Sequence, residues 1–322
     1  IKYMKQRTIT AIILLAICIP LLLLGSYYLA VAVAIIGCMA GYELLSAHKK
    51  QQENSEEYPL LTVIFVFIGI ISLVFLNYSV VDGKASFYFD FQEGIMTKIG
   101  FSPEILLLFL IFMLGSSVFS QRFKITDAFY IFTMVVFLTF GLQSFLYIRS
   151  LPLNLEMGLK VHYQPYSYEA LNGIYLCLYL LIVTMMTDTG AYIGGMLYRK
   201  TNKPIHYLAP RISPKKTVEG AICGTVCGTL IGSLFFIFVV SPYELTLPWY
   251  VVIILTFLLT ITAQIGDLIF SCVKRHYQIK DFSHLLPGHG GVLDRIDSLI
   301  LNSIVLGLFL FVCIQMFGLF VG

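Results

Sequence analysis

Apolar runs of about 20 residues recur from one end of the chain to the other. At 1.5 Å per residue, a helix of that length crosses a hydrocarbon core of roughly 30 Å. The runs at 8–25, 27–46, 59–78, 103–119, 126–147, 171–197, 219–240, 248–271 and 299–320 predict nine transmembrane helices and an all-α polytopic membrane protein. Lys2, Lys5 and Arg7 precede the first run as in a signal peptide, but no small-residue cleavage site follows, so the run reads as an uncleaved anchor. Met4-Lys5-Gln6-Arg7 reads as a natural start, with Ile1 to Tyr3 lying before it.

The polar connections alternate in charge. Seventeen of the 21 Lys and Arg lie on one side, in the N-terminal segment and in the loops 47–58, 120–125, 198–218 and 272–298, while Lys84, Lys98, Arg149 and Lys160 lie on the other. By the positive-inside rule the N-terminus is cytoplasmic and the C-terminus outside. The division expected is a transmembrane scaffold over 1–125, a fifth span with an outside loop over 126–170, and a chemistry-bearing part over 171–322 with cytoplasmic loops 198–218 and 272–298. The outside loops 79–102 and 148–170 are rich in Tyr, Phe and Asp and suit interfacial anchoring. No internal repeat relates the spans, which weighs against a transporter built from inverted halves.

Composition narrows the class. With 58% hydrophobic and 12% charged residues, against roughly 25% charged in a soluble domain, the chain is neither a soluble enzyme nor disordered. A net charge of +3 leaves no dominant basic face, so nucleic acid is not expected as a partner. The seven cysteines are odd in number and sit in or beside apolar runs, as buried thiols rather than a disulfide framework. Cys223 and Cys227 share a helix face but lack further metal ligands at suitable spacing.

The polar residues that demand explanation follow Thr187. Asp188 and Asp267 fall inside apolar stretches, where each unpaired carboxylate costs roughly 2.5 to 3.5 kcal/mol, so both must be paired, ligated or wetted. Glu43, near the cytoplasmic end of the second span, is as readily structural as functional. Asp294 and Asp297 stand three residues apart where the last helix begins; on one helix face they repel unless a cation lies between them. Hard oxygen ligands favour Mg²⁺ over Zn²⁺, although solvated acids at a helix start are the commoner case. The run Leu286-Pro287-Gly288-His289-Gly290-Gly291 lets backbone N–H groups approach a phosphate, or forms a plain turn. Ser213-Pro214-Lys215-Lys216-Thr217-Val218-Glu219-Gly220 suits a triphosphate and equally well anionic lipid headgroups.

Together these residues resemble the bacterial-type phosphatidate cytidylyltransferase (CDP-diacylglycerol synthase) family. Ser271, Lys274, Arg275, Lys280, Asp281, Ser283, Leu286, Pro287, Gly288, His289, Gly290, Gly291, Asp294, Arg295 and Asp297 fill every fixed position of that family's signature run. Upstream family elements match at Asp188-Thr189-Gly190-Ala191-Tyr192, at Ser213 to Gly220 and at Gly266-Asp267. Departures occur at Phe282-Ser283 and Val218; neither is a proposed ligand. The strong resemblance covers 185–298, and the first 170 residues agree in hydropathy and span number only.

The resemblance implies transfer of the cytidylyl group of CTP to phosphatidic acid, releasing pyrophosphate and making CDP-diacylglycerol in phospholipid biosynthesis, at the cytoplasmic side of the plasma membrane. It implies Mg²⁺, with a further monovalent cation such as K⁺, held by Asp267, Asp294 and Asp297, with Asp188 as a ligand of the second cation or of the metal's water. Ser213, Lys215, Lys216 and Thr217 would hold the nucleotide phosphates, and Glu219 would orient a lysine or the metal water. Lys274, Arg275 and Arg295 would neutralise substrate phosphates, His289 would donate to phosphate, and Ser271, Lys280, Gly288, Gly290 and Gly291 would contact substrate. A homodimer is a further implication. Another CTP-dependent lipid enzyme would share this metal logic, and an ion-coupled transporter would use Asp188 and Asp267 without consuming CTP.

Overall fold

The computed structural model describes residues 2–51, 58–81, 84–151, 173–201, 204–241, 247–288 and 290–317. These are mostly helical. The helices are α1 (Lys2–Leu24), α2 (Ser26–Gln51), α3 (Leu60–Phe75), α4 (Pro103–Phe119), α5 (Ile125–Ser150), α6 (Ile174–Arg199), α7 (Val218–Phe235, continued by a π-helical turn Phe236–Val240), α8 (Trp249–His276) and α9 (Leu293–Phe317). Among the described residues, six stretches are long and apolar enough to cross a membrane: Ser26–Ala47, Ile125–Ser150, Ile174–Arg199, Val218–Val240, Trp249–His276 and Leu293–Ile314. Ile12–Leu24, Leu60–Phe75 and Pro103–Phe119 are apolar but shorter. The chain is therefore a polytopic helical membrane protein, with apolar side chains such as Ile12, Leu15, Leu230 and Ile254 exposed on its helices.

The sequence pattern predicts no strands, yet the polar connections contain three antiparallel pairs. These are β1 (Tyr78–Val81) with β2 (Lys84–Phe87), β3 (Phe89–Asp90) with β4 (Ile95–Met96), and β5 (Tyr207–Ala209) with β6 (Ser213–Thr217). Pairs this short lie below the length at which alternation of polar and apolar residues becomes readable.

The chain folds as two compact units. One comprises Ile1–Ser150 with Lys274–Ile296, the other Leu151–Val273 with Asp297–Gly322. The segment Lys274–Ile296 thus belongs with α1 to α5, although it follows the 171–273 region in sequence.

In the first unit Leu45, Val66, Ile70, Leu73, Phe109, Met113, Phe123, Ile131 and Val135 form the core. Its helix ends are closed by buried polar side chains, because terminal N–H and C=O groups lack intrahelical partners. The Arg149 guanidinium donates to the carbonyls of Leu22 (2.8 Å) and Leu23 (3.1 Å) at the end of α1. Gly25 follows with φ +60°, and a β-carbon there would lie 2.7 Å from the Arg149 Nη2. The Gln143 side chain likewise donates to Leu73 O at 2.5 Å.

The second unit is built on very close packing of α6 against α7. Gly220, Gly224, Gly228 and Gly232 recur every four residues along one face of α7. A β-carbon at Gly220 would lie 2.7 Å from Ala191 O, and one at Gly224 would lie 2.6 Å from Thr187 O. Asn302 of α9 donates to Thr184 Oγ1 of α6 (2.9 Å) and accepts from Thr262 Oγ1 of α8 (2.6 Å), tying three helices. Gly224→Leu should force α6 and α7 apart at a cost of roughly 1–3 kcal/mol. The expected result is a lower melting temperature of the detergent-purified protein, whereas Ile222→Leu, on the exposed side of α7, should leave it unchanged.

Candidate active site

In the second unit α6, α7, α8 and the β5–β6 hairpin enclose a cavity of about 430 Å³. Arg199, Lys215, Lys216, Asp188 and Asp267 line it, with Tyr192, Thr217 and Gln264. Lys216 reaches Asp267 Oδ2 at 2.6 Å, and Asp267 Oδ1 accepts from Ser271 Oγ at 3.1 Å, one turn further along α8. Asp188 is exposed to the cavity from α6. Asp267 has thus found a cation, and Asp188 opens onto the cavity.

The hairpin that carries the two lysines is fixed at both ends. Arg199 Nη2 donates to Lys215 O at 2.7 Å. Thr217 caps α7, its Oγ1 accepting from Gly220 N at 3.1 Å, a standard use of threonine before a helix. Ser213 pairs with Ala209 at the turn. Glu219 Oε1 accepts from the backbone N of His206 (3.2 Å) and meets its Nδ1 (2.7 Å), so Glu219 braces the hairpin rather than a lysine. Its Oε2 is buried without a hydrogen-bond partner among the described residues.

The first unit holds the signature loop. Lys274 Nζ lies 2.9 Å from Asp294 Oδ1, both side chains being close to fully buried, and Asp294 Oδ2 accepts from the N–H groups of Phe282 (2.9 Å) and Gly291 (3.0 Å). Leu286 and Gly290 pair through both their backbone groups (2.9 and 3.1 Å), which closes the glycine turn. The Arg275 Nη1 donates to Ile279 O (3.1 Å). Arg295 and Lys280 are exposed, Gly288 is half-buried and Gly291 is buried. Tyr277, which packs edge-on against Tyr130 at 4.9 Å, has its phenol pushed above the ordinary tyrosine range by burial and then by the Asp127 carboxylate. His289 lies outside the described residues.

Asp297 belongs to the second unit, is buried, and accepts from Ser298 N at 2.8 Å. Its carbonyl oxygen would lie 3.0 Å from a β-carbon at Gly266, so the glycine before Asp267 lets α8 and α9 approach closely. Among the described residues, no three His, Cys, Asp or Glu side chains are grouped to hold a metal ion. The cavity itself offers hard oxygens from Asp188 and Asp267 beside the cationic side chains of Arg199, Lys215 and Lys216. That donor set fits Mg²⁺, which takes one or two carboxylates and completes its shell with phosphate and water.

Two features escape the sequence reading. Arg199 lines the cavity, yet at the end of α6 it looks like any basic residue near a membrane boundary. The glycine repeat of α7 is the other, although its four-residue spacing is a small-xxx-small signal that could have found it.

A helical membrane protein whose cavity sets two lysines and an arginine against two carboxylates is equipped to handle a nucleotide's phosphates. The sequence profile of the cytidylyltransferase family matches residues 5–313, and the chain belongs to that family. It is 33% identical over 295 residues to the phosphatidate cytidylyltransferase of Staphylococcus haemolyticus, covering 92% of this chain and 94% of that protein. The identity is 31% over 295 residues with the Staphylococcus saprophyticus protein of the same name, and 30% over 296 with that of Staphylococcus epidermidis, at the same coverage. The likeness reaches into the first 170 residues, where the sequence alone shows agreement only in hydropathy.

Removing one partner of the buried Lys274–Asp294 pair should be costly. Lys274→Met should lower stability by about 3 kcal/mol, read by thermal denaturation in detergent, while Arg295→Gln, on the exposed side of α9, should change it by less than about 0.5 kcal/mol.

Proposed function

We propose that the cavity of the second unit holds the phosphates of CTP. The protein is a nucleotidyltransferase that transfers the cytidylyl group of CTP to phosphatidate, giving CDP-diacylglycerol and pyrophosphate. Family membership and the similarity to phosphatidate cytidylyltransferases support this reaction. The observation that carries the placement is the Lys216–Asp267 pair, with Asp188, Lys215 and Arg199 around one cavity.

In this reaction a phosphate oxygen of phosphatidate attacks the α-phosphorus of CTP while the bond to the β-phosphate breaks and pyrophosphate leaves. A phosphate monoester is already anionic near neutral pH, so no side chain need remove a proton. The difficulty is to bring two anions together and hold them in line. Lys215, Lys216 and Arg199 supply the compensating charge. Asp267 keeps the Lys216 ammonium in the cavity before substrate arrives, so little reorganisation is needed at the moment of reaction. Thr217 and Glu219 hold the hairpin, and through it the lysines, in place.

Asp188 and Asp267 would hold Mg²⁺, which supplies neutralisation of charge on the triphosphate and the departing pyrophosphate. The family resemblance, with the three-residue spacing of two like charges, supports Asp294 and Asp297 as metal ligands, and the resemblance supports a second cation such as K⁺. The resemblance likewise supports the phosphate-directed roles of Lys274, Arg275, Arg295 and His289, and a homodimer. The nine apolar stretches and the charge asymmetry of the loops support nine spans, a cytoplasmic N-terminus and a cytoplasmic-side site in the plasma membrane.

Purified protein given phosphatidate, labelled CTP and Mg²⁺ should form CDP-diacylglycerol and pyrophosphate in equal amounts, and EDTA should abolish both. Lys216→Ala and Asp188→Asn should each lower kcat/KM for CTP by about 100-fold or more. Bound CTP without any lipid nucleotide would redirect the search to another lipid acceptor, and absence of CTP binding would overturn the cavity assignment.

A further inference from the structure

Glu43 of α2 lies far outside the signature run, and its side chain is almost completely buried (1% exposed). Its carboxylate is fully engaged by the loop that leads into α9. Oε1 accepts from Ser283 Oγ at 2.5 Å and from Val292 N at 2.8 Å, and Oε2 accepts from Leu293 N at 2.8 Å. With Asp294 Oδ2 taking Gly291 N, three successive N–H groups at the start of α9 are held by two protein carboxylates. A helix start is an anion site, and here the anions are the protein's own.

The glycines of the loop separate into two kinds. Gly288 and Gly290 have φ of +76° and +84°, a conformation that other residues adopt at a cost. Gly291 is not among the residues with positive φ. A β-carbon at Gly291 would lie 2.7 Å from both oxygens of Glu43, so a carboxylate held by three hydrogen bonds would have to shift.

We propose that Glu43 is a positioning residue for cytidylyl transfer: it sets the signature loop at the start of α9, and position 291 is glycine because the Glu43 carboxylate occupies the space of its side chain. Thr10 of α1 adds a further hold, donating to Pro287 O at 2.9 Å. The first two helices are therefore part of the machinery that shapes the loop. The catalytic part of this proposal rests on the cytidylyltransferase reading; the contact itself does not.

Glu43→Gln leaves one backbone N–H, of Val292 or Leu293, facing an amide N–H in either orientation of the new side chain. Hydrogen exchange followed by mass spectrometry on the full-length protein in detergent should speed up in peptides covering 282–294 and stay unchanged in α7. Per CTP-binding site, kcat should fall about 100-fold with the KM for CTP changed less than about threefold, and Glu43→Asp should recover part of the loss. Ser283→Ala removes one bond but leaves both N–H acceptors, so exchange at Val292 and Leu293 should hardly change.

The decisive comparison is Gly291→Ala made alone and made with Glu43→Asp. Alone it should lower kcat about tenfold or more; beside the shorter acid, which leaves room for the methyl group, it should add less than a threefold loss. An equal loss in both backgrounds would overturn the account of Gly291. Unchanged exchange and unchanged kcat in Glu43→Gln would overturn the role of Glu43. If the wild-type protein made no CDP-diacylglycerol, the reaction would fail while the exchange measurement still decided the contact.

Discussion

A carboxylate among apolar helices has to be met by donors, and that demand shapes both units of this protein. Transfer out of water without a partner would cost a buried ion far more than a single fold can spare. Glu43 and Asp294 answer it with backbone N–H groups and a lysine in the first unit. Asp267 answers it with Lys216 and Ser271 in the second. Asp188 answers it by facing a cavity. The four acids therefore do different work: two organise a loop, and two line the space where a charged substrate is proposed to bind.

Close approach is the second condition. The α6–α7 seam depends on glycines: a β-carbon at Gly220 or Gly224 would meet a backbone carbonyl of α6, and one at Gly228 or Gly232 would meet the side chain of Thr187 or Val183. The seam places Asp188 on α6 and the hairpin leading into α7 around the same cavity. Polar threads from Asn302 to Thr184 and Thr262 hold α9 and α8 to the seam with hydrogen bonds that do not compete with lipid.

Much of this was readable in the residues. Runs of apolar residues located the helices, because the cost of exposing backbone in hydrocarbon leaves helices as the main choice. The intramembrane Asp188 and Asp267, which line the cavity, stood out because such groups are expensive where they stand, whereas the adjacent lysines suited a triphosphate and lipid headgroups equally. The partners of Asp294 were not readable: nothing in the spacing of two acids at a helix start reports Lys274 or the N–H groups of Phe282 and Gly291. Glu43 was equally opaque, since its donors lie about 240 to 250 positions away and no local pattern reports so distant a pairing. The short strand pairs escaped because two to five residues carry too little periodicity.

The bonds from Glu43 to Val292 and Leu293 span 249 and 250 positions, and that from Thr10 to Pro287 spans 277. During synthesis α1 and α2 emerge first, and for most of that time Glu43 has none of these donors. The loop in turn can be held by Glu43 through Val292 and Leu293 only once the last helix begins to form. The signature loop is thus set among the last events of assembly, and a chain that ends before Ser283 leaves Glu43 without the donors that the finished protein supplies.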